Sequence, residues 1–384
     1  MRTVAALCLA GLVMLGPAGA RSFKVVYKDA VHLDALKEAR DGNLYAAGSD
    51  GANGAIVQLT RDGALTELYD FKGGDDGSSP TGRLTEDTEG NLYGTTQQGG
   101  SAGCGGTGCG TVFKLAPDRS ETVLQRFDGT DGARPFSHLE RDKRGNLYGV
   151  AQQGGDTAAC NGMGCGVVYK LAPDGTFSLL HTFTGGVDGG LPQSVMLDKR
   201  GDLYGAAWEG GVACRDWLPM GCGLIFEIAA DGTFGAVHLF AGGDDGMMPG
   251  AFRMDAQGNV YGAVFYDGDP TGATNSRVVS IAPAGSVKVL LGAWAVNDAA
   301  FDRTGNLYAT TASGGDPRCN CGSIFVLPAH GGPRIDLHLF GENDADSSFP
   351  ATPLTVADDG WVWGTTEYGG HGNHGVVYKA KYKP

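Results

Sequence analysis

Gly-Asn-Leu-Tyr or a near variant returns seven times along the chain, at residues 42–45, 90–93, 145–148, 201–204, 258–261, 305–308 and 360–363. The spacings are 48, 55, 56, 57, 47 and 55 residues, a period close to that of propeller blades and much longer than a leucine-rich or ankyrin unit. Residues 135–183 show the unit most clearly. Four short apolar runs (SHLER, LYGVAQ, GVVYKLA and FSLLHTF) are separated by RGN, a long glycine loop and APDG. Runs of this length between turn signals read as strands a to d of one antiparallel sheet. Seven such units predict an all-β chain, a seven-bladed β-propeller.

The two ends support that count. SFKVVYKD at residues 22–29 matches a strand d with no a to c before it, and HGVVYKAKYKP at residues 374–384 ends on a strand c. Pairing Phe23 to Tyr27 with the blade of Trp363 and Tyr378 is expected to close the ring and leave no open seam. The repeated aromatics Tyr45, Tyr93, Tyr148, Tyr204, Tyr261 and Tyr308 are then expected between blades rather than on a carbohydrate.

Units of the form GNLYGTTxxGG, GTVFKLAPDG, LHTF and GxDGxxP resemble those of the GloVer (Gloeo/Verruco) tandem-repeat family of bacterial proteins, over nearly the whole chain. That resemblance implies export and a propeller architecture. It brings no catalytic residues with it.

Composition agrees with both. Glycine makes up 66 of 384 residues, about 17% against an average near 7%, as many tight turns require. Met1 to Thr3 form a short positive start, residues 4–15 an apolar run too short to span a membrane, and Ala18 and Ala20 an A-x-A site. Residues 1–20 are therefore expected to be a signal peptide and residues 21–384 a single secreted or periplasmic propeller domain. No apolar stretch that follows is long enough to be a membrane span either. Losing Arg2 with the leader leaves 28 basic against 43 acidic residues, a formal charge of -15. Such a surface repels phosphate backbones, so nucleic acid is not an expected partner. A monomer is expected.

The eight cysteines after the leader pair within single b-to-c loops: Cys104 with Cys109, Cys160 with Cys165, Cys214 with Cys222, and Cys319 with Cys321. These spacings do not match the C-x2-C pairs of zinc sites, and export favours disulfides. Within GCGGTG the G-x-G-x-x-G pattern precedes a strand instead of opening a helix, so it is not a nucleotide loop. Asp76, Asp131, Asp188, Asp245 and Asp346 each stand four residues before a proline. A turn held by the carboxylate explains this spacing, with calcium, the one candidate cofactor, as the competing reading.

Antiparallel blades put the long loops on one face, where a site is expected. At the ends of strand b, Trp208, Glu209, Phe265, Tyr266, Glu367 and Tyr368 depart from the repeat, and Trp217 lies in the fourth loop. Aromatic planes beside carboxylates suit sugar rings or a protein partner. The function expected is a binding module for a glycan or an extracellular or periplasmic protein. The alternative is a lyase or hydrolase acting on a polysaccharide or small metabolite in an axial funnel. For that chemistry Arg83, His138, Glu140, Arg141 and Arg253 on inner strands are the candidate acid, base and anion holders.

Overall fold

The computed structural model describes residues 20–28, 33–48, 52–214, 220–255, 257–266, 275–294, 296–313, 319–329, 332–341, 348–350, 353–370 and 373–383. The leader at residues 1–19, Trp217 and Asp346 lie outside them, as does the side chain of Tyr266. Seven antiparallel sheets follow one another around an axis. Blade 2 shows the plan, with strands Ser78–Glu86, Leu92–Gln98, Thr111–Leu115 and Glu121–Arg126 as a to d from the inside outward. In blade 3 the inner strand is broken into Ala133–Pro135 and Glu140–Arg141. In blade 7 it is broken into Ser348–Pro350 and Thr355–Val356.

The ring closes as the two ends of the sequence require. Ala20–Tyr27 is the outer strand of blade 7 and pairs antiparallel with Val377–Lys383, Phe23 opposite Ala380 and Val25 opposite Tyr378. Phe23 stacks on His338 at 3.6 Å and meets Phe340 and Tyr378. The seam is therefore packed as well as hydrogen-bonded.

Each Gly-Asn-Leu-Tyr unit follows a turn held by an aspartate. In blade 3 Asp142 Oδ1 accepts the amides of Arg144 and Asn146, while Oδ2 accepts Asn146 Nδ2 and Tyr148 Oη. Asp87, Asp255 and Asp302 hold the corresponding amides in their own blades. This is the self-bonding for which Asp is favoured in turns. The repeat tyrosines divide accordingly. Tyr204, Tyr261 and Tyr308 are buried, whereas Tyr45, Tyr93 and Tyr148 are half-buried with hydroxyls tied to their turn aspartates. The glycine that follows the tyrosine has another cause. A Cβ on Gly205 would stand 2.2 Å from Phe226 Cζ, so strand c's aromatic ring occupies the space a side chain would need.

Between blades the core is aromatic. Phe71 meets Phe113 at 5.1 Å, Phe127 meets Tyr169 at 5.2 Å, and Phe183 meets Phe226 at 5.4 Å, each pair edge to face. In every pair the end of one blade's outer strand touches strand c of the next, a favourable ring geometry. All four cysteine pairs are disulfides, with Cα separations of 5.2 to 5.6 Å. Each of these loops also reaches the following blade. The amides of Arg134, Leu191, Met248 and Phe349 donate to the carbonyls of Cys109, Cys165, Cys222 and Cys321. To do so these residues take left-handed φ values of 50° to 58° directly before a proline.

Candidate functional site in the axial cavity

A cavity of about 530 Å³ runs along the axis, and every blade contributes to its lining. Arg83, His138, Glu140 and Arg253 border it, joined by Asp34, Phe136 and Asp298. Strand periodicity explains the set. Arg83, His138 and Asp298 hold the same place in their blades, four residues before the turn aspartates Asp87, Asp142 and Asp302. Leu84, Leu139 and Ala299, one residue on, turn away into the core. Glu140 and Arg253 lie on the cavity side two places after His138 and Ala251. Arg141 does not border the cavity. It is Glu140's immediate neighbour and so faces the other way, where its Nη2 lies 3.3 Å from the position of a Cβ on Gly145.

The charges around the cavity are paired unequally. Arg253 Nη2 bonds Asp298 Oδ2 at 2.9 Å and donates to the Leu354 carbonyl at 3.0 Å, and Asp298 also accepts the Leu354 amide at 2.7 Å. Asp34 accepts the amides of Ala35 and Gly82 and the hydroxyl of Thr81. His138 Nε2 lies 3.3 Å from Glu140 Oε1. Arg83 is different. It lies deep in the protein and keeps accessible surface where it borders the cavity, yet its buried Nε has no hydrogen-bond partner among the described residues. Burial and the nearby charge of Arg253 pull its pKa down to about 10, against the opposing pull of Glu140 and Asp298. A buried guanidinium donor without an acceptor is costly. Nε itself is closed off from the cavity, so an anion brought in would act on the buried guanidinium through its charge and offset part of that cost.

The long-loop candidates do not gather in the same way. Trp208 is half-buried, Phe265 and Tyr368 are 48% and 44% exposed, and Glu367 is exposed. Tyr368 meets Phe349 edge to face at 5.8 Å. Burial raises the pKa of Glu209, whose Oε2 is buried without a hydrogen-bond partner among the described residues. None of these residues borders the axial cavity.

The acidic loops are stitched to the outer strands. Asp76 accepts Tyr69 Oη and the Lys72 amide, and Asp131 accepts Gln125 Nε2 and the Asp128 amide. Asp188 and Asp245 bond His181 and His238 and the amides of Thr184 and Ala241. Among the described residues no three His, Cys, Asp or Glu side chains form a metal-binding group.

Sequence reading missed Asp34, Phe136 and Asp298. Aligning the inner strands on the turn aspartates would have found Asp298, which shares the position of Arg83 and His138. Phe136 had no such signal, because it enters the cavity through the break in blade 3's inner strand.

A model of the Gloeobacter/Verrucomicrobia repeat matches residues 20–218. No curated protein sequence matches the chain. Among solved structures, a streptogramin B lyase superposes with a TM-score of 0.63 at 14% identity, covering 94% of this chain and 98% of that one. Virginiamycin B lyase from Staphylococcus aureus superposes with 0.61 at 11% identity, covering 94% and 99%. Oligogalacturonate lyase from Vibrio parahaemolyticus superposes with 0.61 at 12% identity, covering 95% and 98%. At these identities the shared property is the propeller fold.

Proposed function

The chain belongs to the Gloeobacter/Verrucomicrobia repeat family, and on that premise we propose that it is an exported propeller that binds a small anionic ligand in its axial cavity. The observation that carries this reading is Arg83, a deep guanidinium that borders a ligand-sized space and makes no ion pair among the described residues. Four disulfides fit an oxidising compartment. Export is the reading that joins them to the apolar leader. The glycan or protein role expected of the long-loop face has less support, because none of its described aromatics borders the axial cavity.

A second reading, turnover of a polysaccharide end or small metabolite by a lyase or hydrolase, is favoured by one contact. The imidazole of His138 and the carboxylate of Glu140 meet on the border of the same cavity as two arginines, an arrangement suited to moving a proton beside a held anion.

Saturation-transfer NMR with a pool of small carboxylates and their amides tests the first reading. Signals from the acids alone, lost in Arg83→Gln, are expected; equal signals from acids and amides would contradict it. A turnover screen run alongside tests the second, which requires product formation that disappears in both His138→Gln and Glu140→Gln.

A further inference from the structure

The cavity lining holds both charged and apolar groups, and the two together narrow the ligand. A Cβ on Gly82 would lie 3.0 to 3.1 Å from backbone atoms of Phe136, Ser137 and His138. The break in blade 3's inner strand is thus pressed against the residue before Arg83, so Phe136 and His138 border the cavity next to the strand that carries Arg83. Phe136 borders the cavity and is 42% exposed. Blades 4 and 5, whose inner strands are Gly190–Leu197 and Phe252–Met254, add Met196, Leu197 and Met254 beside Gln193, Arg253 and Tyr261, while Phe252 is fully buried behind them.

Charge limits the ligand further. The lining holds three carboxylates (Asp34, Glu140 and Asp298) against two guanidiniums (Arg83 and Arg253). Arg253 is already committed to Asp298. A second negative charge on the ligand would meet surplus carboxylate in a partly desolvated space, where repulsion is strong. Size sets the last limit, since about 530 Å³ suits one drug-sized molecule and not a length of polymer.

We propose that the ligand is a monocarboxylate carried on a flat apolar body, its carboxylate on Arg83 and its body across Phe136 toward Met196 and Met254. This deepens the reading that Arg83 anchors an anion, and rests on it. The flat face is what an exposed ring recognises best, because stacking adds to the area buried. A sugar acid would instead place hydroxyls against Phe136 and the two methionines, leaving them without partners.

Titration calorimetry with hydrocinnamate, its amide, phenyl phosphate and D-galacturonate distinguishes the possibilities, using the wild type, Arg83→Gln and Phe136→Ala. Phe136 is exposed enough that its removal should leave the fold intact, and melting curves check this. Hydrocinnamate is expected to bind, and to weaken by at least about tenfold in either variant. Its amide, galacturonate and, at about pH 8, dianionic phenyl phosphate are expected to bind at least about tenfold more weakly than hydrocinnamate. Galacturonate or phenyl phosphate binding as well as hydrocinnamate, with loss in Arg83→Gln, would overturn the ligand class and leave the anchor standing. Binding that ignores Arg83, or no binding by any of the four, would overturn both.

Discussion

A Cβ on Gly185 would stand 2.7 Å from Cys160 Sγ and 3.0 Å from Cys165 Sγ, so the blade 3 disulfide lies directly on the loop that carries Asp188. The corresponding Gly129 leaves more room, its Cβ position being 3.7 and 3.8 Å from Cys104 and Cys109 Sγ. Both glycines have positive φ, 77° and 99°. Gly185→Ala therefore adds a steric clash to backbone strain, whereas Gly129→Ala adds strain alone. Gly185→Ala is expected to cost about 2 to 3 kcal/mol and Gly129→Ala about 1 kcal/mol, read by denaturant unfolding.

The left-handed residues before proline make a second prediction. Arg134, with φ 53° and its amide on the Cys109 carbonyl, holds a conformation costly for a side chain with Cβ. Arg134→Gly removes that cost and adds unfolded-state entropy of similar size, so stability should change by less than about 0.5 kcal/mol. Arg134→Val should lose more than about 1 kcal/mol, because β-branched residues tolerate positive φ worst. Equal stability of the two variants would mean that the conformation is not maintained.

Glu121 gives the pH dependence. Burial and the neighbouring Asp76 raise its pKa to about 7, and its Oε1 is buried without a hydrogen-bond partner among the described residues. A carboxyl whose folded pKa exceeds its unfolded value stabilises while protonated and loses that contribution as pH rises through the folded value. Between about pH 4.5 and pH 7 the wild type should therefore lose stability relative to Glu121→Gln. Melting temperatures across pH are expected to favour the variant above neutrality and to converge in acid.

Ring closure is tested at Phe23. Its ring packs on His338, Phe340 and Tyr378 across the seam, so Phe23→Ala should cost about 3 kcal/mol. Deleting residues 20–28 should do more, exposing the Val377–Lys383 edge to intermolecular pairing. Size-exclusion chromatography should then show aggregates.

The ring was legible because the blades repeat much of the same local physics: a turn aspartate, then an aromatic residue, and in blades 2, 3, 4 and 7 a glycine under strand c's aromatic ring. The half-repeats at the two ends showed how it closes. Arg83, His138, Glu140 and Arg253 were legible as charges on strands that otherwise face the core. Arg141 was grouped with them because it too is charged and follows Glu140 directly, although a two-residue period sends neighbours to opposite sides. Phe136 was illegible for the opposite reason, since a break in a strand suspends that period. Arg83's unfilled donor could not be seen at all in the sequence, because it depends on which acceptors the other blades place within reach.

Thermal unfolding of Arg83→Gln, with and without hydrocinnamate, tests the central claim most directly. If Arg83 is an anchor waiting for an anion, removing a buried guanidinium with an unfilled donor should leave the free protein at least as stable as the wild type. The ligand should then raise the melting temperature of the wild type and not that of the variant. A free variant that melts well below the wild type, together with an undiminished ligand shift, would show that Arg83 is a structural ion and that the axial cavity does not bind through it.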